Sequence, residues 1–144
     1  MTQSDHKDYS GTPLWKKLGI AEGSRIRVLD APDGFDAALT TIAPLPDGAT
    51  FLARTGRDLD VIVAFVLRMS QLRRRFVPLA RAIAPAGRLW IAWPKKAAPV
   101  ETDLDFAAVQ STGLAAGLVD NKSAAITEVY QGLQFVRRRE DRSR

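Results

Sequence analysis

The chain has 144 residues, no cysteine, a single histidine (His6) and a formal charge of +5. A domain of this length hides roughly two-thirds of the surface its unfolded chain exposes, so it needs no disulfide or structural metal to fold. The composition excludes thiol nucleophiles and thiolate metal sites, and one histidine leaves no Ser-His-Asp or zinc-type constellation.

The charge is unevenly placed. Residues 137 to 144 hold five arginines against Glu140 and Asp141, a net +3 of the +5, which leaves +2 for the rest of the chain. A terminal run of this kind reads as a solvated basic tail (139–144), and nucleic-acid binding is not expected. Residues 1–9 are polar and read as a disordered N-terminal arm without a leader sequence, and nothing approaches the ~20 apolar residues of a membrane span. A cytoplasmic protein is expected, with one folded domain over 10–138.

Order is expected from Ser10-Gly11-Thr12-Pro13-Leu14, where Thr12 reads as an N-cap and Pro13 as the first helical residue. Gly19 stops that helix. Arg25 to Asp30 reads as the first strand, Ala31-Pro32-Asp33-Gly34 as a turn, and Phe35 to about Ile42 as a helix. After Pro44-Leu45-Pro46-Asp47-Gly48, a weak second strand covers Ala49 to Ala53. Asp60 to Val66 is an unbroken apolar run, suited to a parallel strand covered on both faces. Ser70 then caps a helix to about Ala84. Its stripe is Leu72, Phe76, Leu79 and Ile83, with Arg74 and Arg81 turned away and Pro78 as a kink. Pro85-Ala86-Gly87 ends it, and the strand Leu89-Trp90-Ile91-Ala92-Trp93 follows, closed by Pro94. Thr102 is expected to cap the next helix, which ends near Gly117. Leu118 to Thr127 and Leu133 to Arg138 read as two strands joined across Tyr130-Gln131-Gly132.

Strands alternating with helices predict an α/β domain with a mostly parallel sheet and right-handed crossovers, closed by a C-terminal β-hairpin. Leu133, Phe135 and Val136 look buried, whereas Asp120, Asn121, Lys122 and Ser123 look like an edge. The last strand is therefore expected beside the tryptophan strand, with order 2-1-3-4-6-5. That is the sheet of a three-layer, Rossmann-like methyltransferase lacking one β-α unit.

Several segments resemble a bacterial family of unknown function, the domain of unknown function 3052 family. They are Ser10-Gly11-Thr12-Pro13-Leu14, Lys16-Lys17-Leu18-Gly19-Ile20, Leu89-Trp90, Trp93-Pro94-Lys95-Lys96, Gly117-Leu118-Val119-Asp120, Gly132-Leu133 and Phe135-Val136. The resemblance runs from Tyr9 to Arg138. Tyr130 stands where the family pattern would have tryptophan, and Ala98 where it would have a small hydroxyl residue. The resemblance implies a fold and brings no established activity or catalytic residues.

The first turn has one glycine and a rigid proline, and the second strand ends at Ala53-Arg54-Thr55 without an acid. A methyltransferase cofactor wants a glycine-rich turn and an acid for its ribose hydroxyls, so no cofactor is expected. Asp60 reads as a strand-end residue, and Arg73, Arg74 and Arg75 as a solvated helix face. Trp90 and Trp93 point to opposite faces and read as core. Lys95 and Lys96 leave a strand at the rim where open α/β sheets bind ligands. With Asp30 on the same rim and Thr12 at a helix start, they form the candidate anion site; no metal site is expected. The alternative for the lysines is a solvated loop paired with Glu101 or Asp103. The leading reading is a non-enzymatic or degenerate Rossmann-like domain that binds an anionic small molecule or a protein partner. The alternatives are a small transferase related to methyltransferases and a nucleic-acid accessory protein using the basic tail.

Overall fold

The computed structural model describes residues 11–142. The expected arm at 1–9, His6, Ser10 and the end of the tail at 143–144 lie outside the described residues. Six strands form one sheet: β1 (Arg25–Leu29), β2 (Thr50–Phe51), β3 (Leu59–Phe65), β4 (Ile83–Pro94), β5 (Leu118–Ala125) and β6 (Tyr130–Arg137). Their order is β2-β1-β3-β4-β6-β5. β2, β1, β3 and β4 run parallel, and β6 is antiparallel to both β4 and β5.

Helices α1 (Leu14–Lys17) and α2 (Phe35–Leu39) cover one face, and α3 (Met69–Ala82) and α4 (Phe106–Ala115) cover the other. Alternation along β4 sends Trp90 and Ala92 to the α1 side and Leu89, Ile91 and Trp93 to the α3 side. Trp90 packs with Leu14, Leu18, Ile26, Phe35 and Val63. Trp93 packs in the layer of Phe76, Leu79, Val109 and Phe135. α4 lies tightly on the sheet because residue 113 is glycine: a Cβ there would stand 2.0 Å from Cε1 of Phe135.

Local structure departs from the sequence reading in several places. Pro13, not Thr12, is the N-cap of α1: it is extended (φ −58°, ψ 143°), and its carbonyl accepts from Lys16 and Lys17 N–H. Gly19 stops α1 as expected. At φ +89° it closes a Schellman pair, Ile20 N–H donating to Trp15 O and Gly19 N–H to Lys16 O. α2 stops at Leu39, since only Phe35 and Leu39 have a core to face and Ile42 is 52% exposed.

The N-cap of α3 is Arg68 rather than Ser70, and Gln71 Oε1 reaches back to Arg68 N–H. Pro85-Ala86-Gly87 is no break: β4 starts at Ile83, which pairs with Leu59, and the extra residues before Arg88 pairs with Val61 are taken up as an irregularity. Proline is tolerated at such a bulge because no ladder donor is lost there. The hairpin turn falls at 126–129, where Thr127 Oγ1 accepts from both Val129 and Tyr130 N–H, so Tyr130-Gln131-Gly132 already belongs to β6.

Candidate ligand-binding cleft

The parallel strands end on one rim. β1 delivers Asp30 there, β3 delivers Arg68 and β4 delivers Lys95 and Lys96. Pro94 ends β4, and Lys95 N–H donates to Val129 O at 2.8 Å while Lys95 O accepts from Ala98 N–H at 3.0 Å. The backbone under the two lysines is thus tied on both sides. Lys96 is exposed and Lys95 half-buried, and among the described residues neither forms an ion pair.

The segment after the lysines folds back over the start of α3. Thr102 Oγ1 donates to Leu67 O at 2.6 Å and accepts from Leu104 N–H at 3.1 Å. Asp103 Oδ1 accepts from Met69 N–H at 2.7 Å, one of the helix-start donors that an α-helix leaves without an internal partner. Thr102 therefore tethers the loop, and Asp105 is the N-cap of α4, its Oδ1 accepting from Ala108 N–H at 2.8 Å. Glu101 approaches Arg68 at 3.9 Å, with 93% of its side chain exposed. Neither Glu101 nor Asp103 pairs with the lysines.

Between this loop and the end of β4 lies an open cleft of about 890 Å³, lined by Arg68, Lys95, Lys96, Glu101, Phe106 and Gln131 among others. Three cations line it with two carboxylates, Glu101 and Asp105, of which Asp105 is engaged as the N-cap of α4. Phe106, 44% exposed, and the prolines on either side of the lysines supply an apolar floor. Such a surface suits an anion carrying an apolar body.

The other two expected site residues do not line this cleft. Asp30, in the left-handed region at φ +57°, directs its carboxylate to Arg75 of α3 in a short ion pair. Arg75 is therefore no solvated bystander, unlike exposed Arg73 and Arg74. Thr12 lies one residue outside the cap of a four-residue helix. Beside Asp30, a separate cleft of about 490 Å³ is lined by Val28, Ala31, Asp36, Leu39, Phe51 and Leu52. Asp60 serves the backbone, accepting from Arg25 N–H at 2.8 Å. Sequence reasoning missed Arg68 and Phe106. Arg68 follows the end of β3, so the rim rule applied to Lys95 reaches it as well.

The first turn offers a poor fit to an adenosyl cofactor. Pro32 occupies its centre, Gly34 (φ +87°) is used as the N-cap of α2, and the Asp30 carboxylate is engaged by Arg75. Past β2, the Arg27 guanidinium donates to Leu52 O at 3.4 Å and Thr55 Oγ1 at 3.4 Å, where a ribose acid would be wanted. Among the described residues no group of three His, Asp or Glu side chains is gathered to hold a metal ion, and no helix is long and apolar enough to cross a membrane.

No protein-family profile matches the chain, and no curated protein matches it in sequence. Solved structures do share its fold. A TehB-like SAM-dependent methyltransferase from Corynebacterium glutamicum superposes with a TM-score of 0.53 at 12% identity, over 87% of this chain and 85% of that one. The magnesium protoporphyrin IX methyltransferase of Synechocystis PCC 6803, solved with bound SAH, gives 0.58 at 11% identity over 91% and 81%. A putative methyltransferase of Haloferax volcanii, in complex with the methyltransferase activator Trm112, gives 0.58 at 11% identity over 85% and 86%. The chain has a methyltransferase-like Rossmann fold.

Proposed function

We propose that this chain is a small methyltransferase-related domain whose working site is the Arg68–Lys95–Lys96 cleft, where it binds an anionic small molecule with an apolar body. One observation carries this reading: two lysines without acid partners among the described residues stand beside Arg68 at the C-terminal rim of a parallel sheet, on a backbone fixed at both ends. Membership of the domain of unknown function 3052 family, a single domain over 10–138 and a cytoplasmic location belong to the same proposal. Asp30 and Thr12 are secondary to the lysines in it. Neither of them lines the cleft.

Group transfer is the second reading, and the likeness to methyltransferases supports it. On that reading the cleft holds the acceptor, and Lys95 and Lys96 fix its anionic group. The misfit at the first turn weighs against an adenosyl donor bound in the usual way, and no catalytic step is assigned to it. The partner in the Haloferax complex likewise supports a protein partner as an addition to small-molecule binding.

Calorimetric titration separates the readings. The full chain is titrated with SAM, with SAH and with a panel of aromatic carboxylates and phosphates, each against Lys95→Ala/Lys96→Ala. Binding of an anion by the wild type, lost in the double variant with an unchanged melting temperature, supports the main reading. Low-micromolar SAM binding overturns it in favour of the transferase. A large loss of stability in the double variant returns the lysines to a structural role.

A further inference from the structure

A second basic cluster lies on the opposite face of the sheet, away from the cleft. Arg88 is two residues before Trp90 on β4 and so shares its face. Lys122, on β5, places Nζ 6.0 Å from the centroid of the Trp90 ring and donates to Lys17 O at 2.9 Å. Arg88 passes against Gly19: a Cβ at that position would stand 2.2 Å from its Nη1. Three elements, the end of α1, β4 and β5, thus place the charges of Lys17 and Arg88 within electrostatic reach of Lys122.

Nothing among the described residues neutralises them. Arg88 makes no hydrogen bond or ion pair there, although its guanidinium carries five donors and its Nε is buried. Gln134, the register partner of Trp90 and 4% exposed, is neutral; its Nε2 donates to Asn121 Oδ1 and its Oε1 is left without a partner. Lys122 registers the charge around it: burial first, then Arg88 and Lys17, hold its ammonium below the ordinary lysine value of 10.5. A half-buried guanidinium without a partner is unfavourable, and a planar fork flanked by two point charges is the arrangement that oxyanions neutralise well.

We propose that Lys17, Arg88 and Lys122 form an oxyanion site that takes a phosphate group. Arg88 offers the paired donors, and the two ammonium groups flank it. The phosphate can be a free ion or part of a small ester, since both present the same oxygens.

The test is calorimetry and thermal melting of the full chain with inorganic phosphate and, separately, with phenyl phosphate. Saturable binding that raises the melting temperature is expected, weakened at least tenfold by Arg88→Gln and by Lys122→Gln and unchanged by Lys95→Ala/Lys96→Ala. The tighter of the two probes identifies the source. Without phosphate, Lys122→Gln should melt at the wild-type temperature or above it, because a repulsion is removed. Absence of binding overturns the proposal, and so does binding that follows Lys95 and Lys96 instead. If Arg88→Gln fails to fold, exposed Lys122 carries the test, and a sharply lowered melting temperature in Lys122→Gln also overturns it.

Discussion

Replacing Trp90 by phenylalanine isolates what one indole does for this fold. Trp90 is fully buried, and its Nε1–H donates to Leu18 O at 3.0 Å. That carbonyl belongs to the end of α1, where the helix itself offers no partner. Phenylalanine fills most of the space but removes the donor. Leaving a buried acceptor unpaired costs about 1–3 kcal/mol. The missing part of the ring adds about 1 kcal/mol of lost packing. The expected loss is about 2–4 kcal/mol, or a fall of roughly 6–12 °C at about 3 °C per kcal/mol for a domain of this size. Alanine is less informative: its packing loss of about 3–5 kcal/mol, added to the orphaned carbonyl, approaches the whole stability of a small domain. Urea titration followed by far-ultraviolet circular dichroism is the assay, with equal m-values required before midpoints are compared. Arg74→Ala, on the exposed side of α3, is the control and should stay within about 0.5 kcal/mol. A Trp90→Phe loss no larger than the control's would refute the assignment of Trp90 to the core.

Three further outcomes are expected. Gly113→Ala should destabilise by about 1–3 kcal/mol despite alanine's better helix propensity, because the new Cβ meets the buried Phe135 ring; a neutral or raised melting temperature would count against the α4–β6 packing. Asp103→Ala should cost about 1 kcal/mol, as loss of a cap does, and should speed hydrogen exchange at Met69 N–H; unchanged exchange there would show that the loop does not clamp α3. Lys122 should titrate below 10.5 in a nuclear magnetic resonance titration of its Nζ, because of burial and then of Arg88 and Lys17. Between that lowered value and 10.5 the unfolded chain binds more protons than the folded one. The contribution of Lys122 therefore makes stability rise with pH across that window, and Lys122→Gln should remove the rise. An Nζ that titrates at 10.5 or higher would contradict the geometry.

The strand order was legible because two short stretches differ so clearly. Leu133, Phe135 and Val136 are apolar enough to need two neighbouring strands, whereas Asn121, Lys122 and Ser123 tolerate an edge. Strand-end chemistry was legible too, since a proline after an apolar run fixes where the chain leaves the sheet. Helix starts were read less well. Proline before a short apolar stretch serves as either N-cap or first helical residue, and for Pro13 only its backbone angles decide between them. Ser70 and Thr102 are good caps by residue type, yet the caps used are Arg68 and Asp105: Gln71, within α3, closes back on Arg68 N–H, while Asp103 and Thr102 reach Met69 N–H and Leu67 O from the distant loop before α4. The pairing of Asp30 with Arg75 spans 45 positions and has no local signature. The Lys95–Lys96 cleft was visible as a rim position, but its other walls come from a loop whose folding direction depends on those same distant contacts.

The insertion of β6 between β4 and β5 has a consequence for biosynthesis. The sheet cannot be completed in the order in which it is made. Until residues 130–137 have been synthesised, β4 is an outer strand, with Leu89 to Trp93 presenting unpaired backbone groups and a broad apolar surface. β5, made earlier, has no place to dock, because its pairing is with β6 alone. A nascent chain therefore carries this adhesive segment uncovered until β6 has been made. Its exposure to premature association depends on how quickly Tyr130–Arg137 arrives to fill the gap.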